Sequence, residues 1–293
     1  MDRRAWAATP PTGARRGDAG AGLCRPDRGR QPVSVFNVLL RKELREIRRT
    51  WRIWVLPAIL LFIAITSPIL AQITPALVRS LASNQPGVVI ELPDPTPLDS
   101  YRQFASQLSQ IGLLALIITT AGIISSELRS GTAILVLTKP VSRRSFVLAK
   151  LAAQLALLTG ATILATLVCW VGTLAIFGEA AIGELAAATA LWLLVAAGFL
   201  CLMTILSTLI TAQAGAAGAG IAAYFILSIL AGWGPAQRWT PAGALHAVAA
   251  VIDGAAQPLV APVLTTLTLG AIAVAAAIYR LDRSELAARA RES

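Results

Sequence analysis

LAAQLALLTGATILATLVCWVGTLAIFG, residues 151–178, runs for 28 residues without an Asp, Glu, Lys or Arg, between Lys150 and Glu179. A helix needs roughly 20 apolar residues to cross a hydrocarbon core about 30 Å thick. Backbone groups in lipid must pair internally, so only helices and closed strand barrels span a membrane. Barrel strands alternate polar and apolar residues over about 10 positions, and this run does not alternate. It predicts one transmembrane helix.

The same reading works outward along the chain. Arg52 to Arg79 encloses 26 uncharged residues, Arg102 to Glu127 encloses 24, and Asp253 to Arg280 encloses 26. Each is long enough for one crossing. Glu184 to Arg238 encloses 53, enough for two crossings that turn at the small polar break Thr211–Gly215. The expectation is an all-α integral membrane protein with six transmembrane helices at about 53–74, 105–125, 149–177, 185–210, 214–234 and 258–279. Composition agrees: 56% of residues are hydrophobic and only 14% charged, against about 25% charged in soluble domains.

Lys and Arg set the orientation, because cytoplasmic segments carry them in excess. Residues 1–52 hold thirteen, 126–150 hold five and 280–293 hold four, whereas the three intervening loops hold only Arg79, Arg102 and Arg238. Both termini and the loop after the second span are therefore expected in the cytoplasm, and the chain in the cell's inner (plasma) membrane. The net charge of +10 is a topology signal, which argues against a nucleic-acid partner. Cys24, Cys169 and Cys201 form no CxxC pair and predict neither a disulfide framework nor a metal site.

Residues 1–33, rich in Arg, Gly, Pro and Ala, read as a disordered tail; a true start near Val33 or Val35 is the other reading. Residues 34–280 form the membrane domain and 281–293 a cytoplasmic tail. Within 34–52, Phe36, Leu40, Leu44, Ile47 and Trp51 recur at steps of three and four, with Arg41, Arg45, Arg48 and Arg52 on another face. That is a basic amphipathic helix lying in the headgroup layer. On the outer side, Asp99 offers a helix cap ahead of the second span. Thr240-Pro241 starts a short helix reaching about Ile252, interfacial or re-entrant. Gly215, Gly218 and Gly220 suit close helix packing in the fifth span.

Missing chemistry narrows the function. Between their flanking charges the six stretches hold no ionisable residue, which disfavours an ion-coupled transporter. Their Thr and Gln residues read mostly as helix-packing hydrogen bonds. A P-loop needs a Gly-Lys pair, but Lys42, Lys139 and Lys150 follow Arg, Thr and Ala. The lone His246 lies in an outer loop, away from any serine at membrane depth, and no clustered aspartates lie within the spans. An intramembrane enzyme is disfavoured, no cofactor is expected, and energy for uphill transport must come from a partner.

The loop SSELRSGTAILVLTKPVSRRSFVLAK, residues 125–150, is where such a partner would act. Its apolar core, residues 133–137, is too short to span and too apolar to leave in water. It predicts a short helix under the membrane, stopped by Pro140, with Ser142 capping the third span. Arg143, Arg144 and Lys150 are expected at lipid-phosphate level, and Glu127 is placed to pair with Arg129 or with a partner's arginine. The stretch resembles the first cytoplasmic loop of type-2 ABC transporter permeases, through Glu127, Gly131-Thr132, Pro140-Val141-Ser142-Arg143 and Lys150. Lys42-Glu43-Leu44 and the Arg-rich helix before a first span ending near Pro68 are similar to that family's opening. The long N-terminal extension departs from it.

The resemblance implies the permease subunit of an ABC exporter, in which the loop is a coupling helix docking on a separate ATPase. Two permease chains, alike or different, would pair with two ATPase chains in the bilayer. The coupling residues it implies are Glu127, Arg129, Gly131, Thr132, Leu135, Pro140, Ser142 and Arg143. Lys42, Glu43, Arg45 and Arg48 belong to the interfacial helix. A membrane scaffold or sensor that binds an ATPase without transporting is the alternative.

Overall fold

The computed structural model describes residues 35–49, 52–82, 93–125, 143–255 and 258–292. Among them there is no strand. The helices are α1 (Val35–Arg49), α2 (Arg52–Ala82), α3 (Pro97–Gln107), α4 (Leu113–Thr120) and α5 (Arg143–Phe177). They continue as α6 (Ile182–Leu209), α7 (Gln213–Ala231), α8 (Gly234–Trp239), α9 (Pro241–Ala250) and α10 (Val260–Glu292). Five of these, α2, α5, α6, α7 and α10, are long and apolar enough to cross a membrane.

The remaining apolar stretch is helical but not uniform. α3 and α4 are joined by a π-helical turn, Leu108–Gly112, and the backbone stays right-handed helical through both junctions. Two contacts explain the wide turn. The Leu113 N–H reaches back five residues to the Leu108 carbonyl, and the buried Trp192 indole donates to the same oxygen at 2.8 Å. At Gly112 a Cβ would come within 3.1 Å of Trp192 Cζ2, so the turn closes around that ring. π turns of this kind are rare and concentrate at functional places.

Local signals set most other boundaries. α5 ends at Gly178, whose φ of 79° is the left-handed conformation glycine adopts at low cost. α6 and α7 are separated by three residues, 210–212, beside the expected break. α3 starts one turn earlier than expected: Pro97 occupies its first turn, and Asp99 accepts from the Thr96 N–H at 2.8 Å. Asp99 is thus the returning half of a capping box, with Thr96 at the cap. Thr240 caps α9, accepting from the Ala242 N–H at 3.3 Å. α9 is buried along Ala242–Leu245 and at Ala247 and Val248, packed under α6, α7 and α10. Its tight approach to α8 demands Gly243, where any Cβ would drive into the Gln237 carbonyl. Of the three glycines in α7 only Gly220 meets neighbours across a helix interface, Met203 and Ile117; Gly218 faces open space.

The surface shows what solvent the bundle is built for. Trp54 is 74% exposed and Ile229 75%, with Phe62, Phe225 and Ile272 also outside. The interior holds Trp192, Tyr101 and Phe104 together with many hydroxyls. A surface this apolar is stable only against lipid; the protein is a multi-pass membrane protein. Most buried threonines bond not across helices, as expected, but to the carbonyl four residues back: Thr119 to Ala115, Thr162 to Leu158 and Thr266 to Pro262. That satisfies the hydroxyl without a partner helix.

Candidate functional site

The foot of α5 carries a motif residue of the 125–150 stretch, Lys150, that lies deep in the structure. Lys150 Nζ donates to Glu43 Oε2 at 2.8 Å, across 107 positions of sequence. Lys150 is 6% exposed and Glu43 4%. Lys42 Nζ contacts Glu43 Oε1 at 3.2 Å and Glu46 at 3.2 Å, and the Lys150 ammonium lies 5.6 Å from the Phe146 ring centroid. The Glu43 carboxylate thus faces an ammonium on each oxygen.

The positioning elements explain this arrangement. α5 has 35 residues, about 50 Å of helix, so its first turns project past a hydrocarbon core about 30 Å thick. Phe146 and Val147 anchor that foot against Leu281 of α10. α1 also packs on α5. An isolated buried charge is costly, whereas a close, hydrogen-bonded pair offsets much of the desolvation.

Two expectations gain a protein contact. Lys150, expected at lipid-phosphate level with Arg143 and Arg144, is buried on a carboxylate, while Arg144 is exposed. α1 is amphipathic as expected, but it packs on α5 through Leu39 and Glu43, one turn apart. Leu44 of the predicted apolar stripe remains 38% exposed, available to the headgroup layer, and Arg41 and Arg45 are exposed. Arg48 lies in the last turn of α1. Only an inter-element ion pair distinguishes Glu43 from an ordinary helix-surface acid, and local periodicity carries no signal for it.

The other end of the stretch is also held. Ser207 Oγ, in the last turn of α6, accepts from the backbone N–H groups of Ile124 and Ser125, both at 2.9 Å. Ser207 is 1% exposed. Glu127, Arg129, Gly131, Thr132, Leu135, Pro140 and Ser142 lie outside the described residues, as does the short apolar helix; Arg143 opens α5. The motif-bearing segment is therefore clasped at its two ends, on α6 through Ser125 and on α1 through Lys150.

α5 carries a polar face upward from this foot. Lys150, Gln154, Thr162, Thr166, Cys169 and Thr173 are all buried and recur at steps of three, four or eight, one side of a helix. At the far end Ser100 and Thr173 are 2.7 Å apart. An exposed ion network closes that end on the outside: Arg102 contacts Asp253 and Asp99, both at 2.6 Å. Burial pushes the Asp99 carboxyl up, but hydrogen bonds from Thr96 and from the Arg102 guanidinium outweigh it and hold the group below the usual carboxylate range. Hydrogen bonding to Asp253 pushes Arg102 up.

Comparison with known proteins returns the same region. The family model described as ABC-2 family transporter protein matches residues 37–286, which covers α1 from its third residue, both clasps, α2, α5, α6 and α7 entire, and α10 as far as residue 286. No curated protein matches the chain.

Proposed function

We propose, from the premise that this chain belongs to the ABC-2 transporter family, that it is the permease of an ATP-driven exporter whose segment 126–142 docks on a separate ATP-binding subunit. A chain of this family is the membrane component of an ABC transporter and works with such a subunit. Six spans cross the plasma membrane with both termini in the cytoplasm, the second, about 105–125, being the end of α3, the π turn and α4 with the residues that follow it. Two permease chains assemble with two ATPase chains.

The observation that carries this reading is the double clasp. A partner pressing on residues 126–142 moves Ser125 and Lys150, and these are tied to α6 and to α1 by buried contacts. α5 begins directly after the segment, at Arg143, and runs for 35 residues. A push at its foot is therefore delivered across the membrane as tilt. Glu127, Arg129, Gly131, Thr132, Leu135, Pro140, Ser142 and Arg143 form or frame the docking surface. Lys42, Arg45 and Arg48 hold α1 in the headgroup layer. Spans that hold no Asp, Glu, Lys, Arg or His between their flanking charges fit an amphipathic cargo better than a bare ion.

The test is reconstitution of the chain with its ATP-binding subunit in vesicles whose cytoplasmic face is outward. ATP should drive a fluorescent amphiphile into the lumen, and Gly131→Trp should keep hydrolysis while losing flux. Undiminished flux in Gly131→Trp overturns the coupling role. Firm ATPase binding without any ATP-dependent flux points to a scaffold.

A further inference from the structure

α5, α6 and α7 cross the bundle in succession, so α7 ends on the side remote from the Glu43–Lys150 pair. Its 19 residues make about 28 Å of helix, close to the roughly 30 Å of a hydrocarbon core. Gly232 and Trp233 follow, and α8 starts at Gly234, at headgroup depth. Its aromatic residues agree with that depth: Trp233 is 60% exposed and Trp239 70%, and tryptophans concentrate in the interfacial layer.

Cations on this side of the bundle are few, and two are committed to carboxylates. Arg79 faces Asp94 at 3.8 Å, and Arg102 contacts Asp99 and Asp253, both at 2.6 Å. Arg238, in the last turn of α8, is exposed. Among the described residues its side chain makes no ion pair or hydrogen bond. A cavity of about 770 Å³ opens beside it, lined by Gly234, Pro235, Gln237, Arg238, Trp239 and Pro258. That volume lies within the range of ligand pockets, about 300–1,000 Å³. Gln237 is half-buried and the other five lining residues are exposed, so the cavity is an open cleft. Gln237 Nε2 donates to the Ala231 carbonyl at 2.7 Å, which ties its amide to the end of α7. Arg238 is the one charged residue of the lining, and none of the six is acidic.

A guanidinium meets a phosphate through two parallel N–H bonds. A zwitterionic headgroup brings a cation along with its phosphate, and this lining has no carboxylate to receive it. An anionic headgroup brings the phosphate charge alone. We propose that the α8 cleft holds the phosphate of an anionic phospholipid from the adjoining leaflet, gripped by Arg238 beside Trp239. The site is separate from the coupling segment and does not depend on the export reading.

Native mass spectrometry of the detergent-solubilised full chain resolves single lipid-binding steps, with phosphatidylglycerol or phosphatidylcholine as the added lipid. Arg238→Gln should weaken one phosphatidylglycerol step about fivefold, the factor expected of one basic residue at an anionic surface. Phosphatidylcholine binding should stay as it was. Arg238→Lys, which keeps the charge, should retain most of the phosphatidylglycerol binding. The thermal unfolding midpoint of Arg238→Gln without added lipid should match that of the unaltered chain, because the side chain is exposed and unpaired; lost binding is then not lost fold. Arg45→Gln on α1 probes the basic residues at the other end, and its effect should add to that of Arg238→Gln. Excess glycerol 3-phosphate should not displace the lipid; displacement assigns the cleft to a free phosphate and overturns the lipid reading. Equal phosphatidylglycerol affinity in the unaltered chain and Arg238→Gln, or equal weakening of both lipids, overturns the proposal.

Discussion

When Lys150 is replaced by Met, the Glu43 carboxylate keeps the Lys42 ammonium at 3.2 Å, on a side chain 41% exposed to solvent. When Glu43 is replaced by Leu, the Lys150 ammonium loses a carboxylate at 2.8 Å in a place only 6% exposed. Removing one partner of a buried pair costs up to about 3–5 kcal/mol, of which the contacts the survivor keeps, the Phe146 ring among them for Lys150, offset part. Each single change should therefore cost about 1.5–3 kcal/mol, the range of a charge-assisted hydrogen bond. The double variant Glu43→Leu/Lys150→Met removes both charges and should return to within about 1 kcal/mol of the original stability. Equilibrium unfolding in mixed micelles, followed by fluorescence of the buried Trp192 and the other six tryptophans, yields all four corners of the cycle. The expected coupling is about 2 kcal/mol or more. It should persist between about 0.1 and 1 M salt, because buried pairs are screened far less than exposed ones. Single effects that add within about 0.5 kcal/mol would refute the reasoning.

Other outcomes follow from packing and protonation. Gly243→Ala should cost about 3 kcal/mol or more, since the added carbon meets backbone and not a yielding side chain. Gly218→Ala, in open space, should gain up to about 1 kcal/mol from helix propensity; the pair is read by the same unfolding assay. Trp192→Phe should cost about 2 kcal/mol by removing the bond to the Leu108 carbonyl and part of a core ring. The lowered Asp99 carboxyl contributes stability that is complete above its unfolded value near about 3.9. That contribution is lost as pH falls through the lower folded value. Asp99→Asn should flatten the decline of stability below about pH 4, and an unchanged slope would contradict this assignment.

The long helices were legible because an apolar run of sufficient length has few other forms in lipid. α9 was legible too, from one Thr-Pro pair at its start. What escaped were features set by partners distant in sequence. Glu43 looked like one acid among arginines, and only the arrival of Lys150, 107 positions away, makes it the buried side of α1. The stripe Phe36–Leu40–Leu44 was real as a pattern, but a pattern does not say whether protein or lipid covers it. α3 began at Thr96 and not at Asp99, because a proline in the first turn is already shaped for the helix. α8 has six residues and no apolar period of its own. The core of the 125–150 stretch lies outside the described residues, so its helix belongs to the proposal.

The π turn at Leu108–Gly112 has a consequence in phase. A π turn accommodates one residue more than an α turn, and one residue is about 100° of rotation. Everything from Leu113 to Thr120 is therefore rotated by about that angle, relative to the α3 half, from where an unbroken helix would place it. The two halves of this stretch obey different frames, much as a reading frame changes after an insertion. Deleting one residue between Ser109 and Ile111 would restore a single frame without breaking the helix. The face that now carries Tyr101 and Phe104 into the bundle would then fall out of step with the face that carries Leu116 and Ile117.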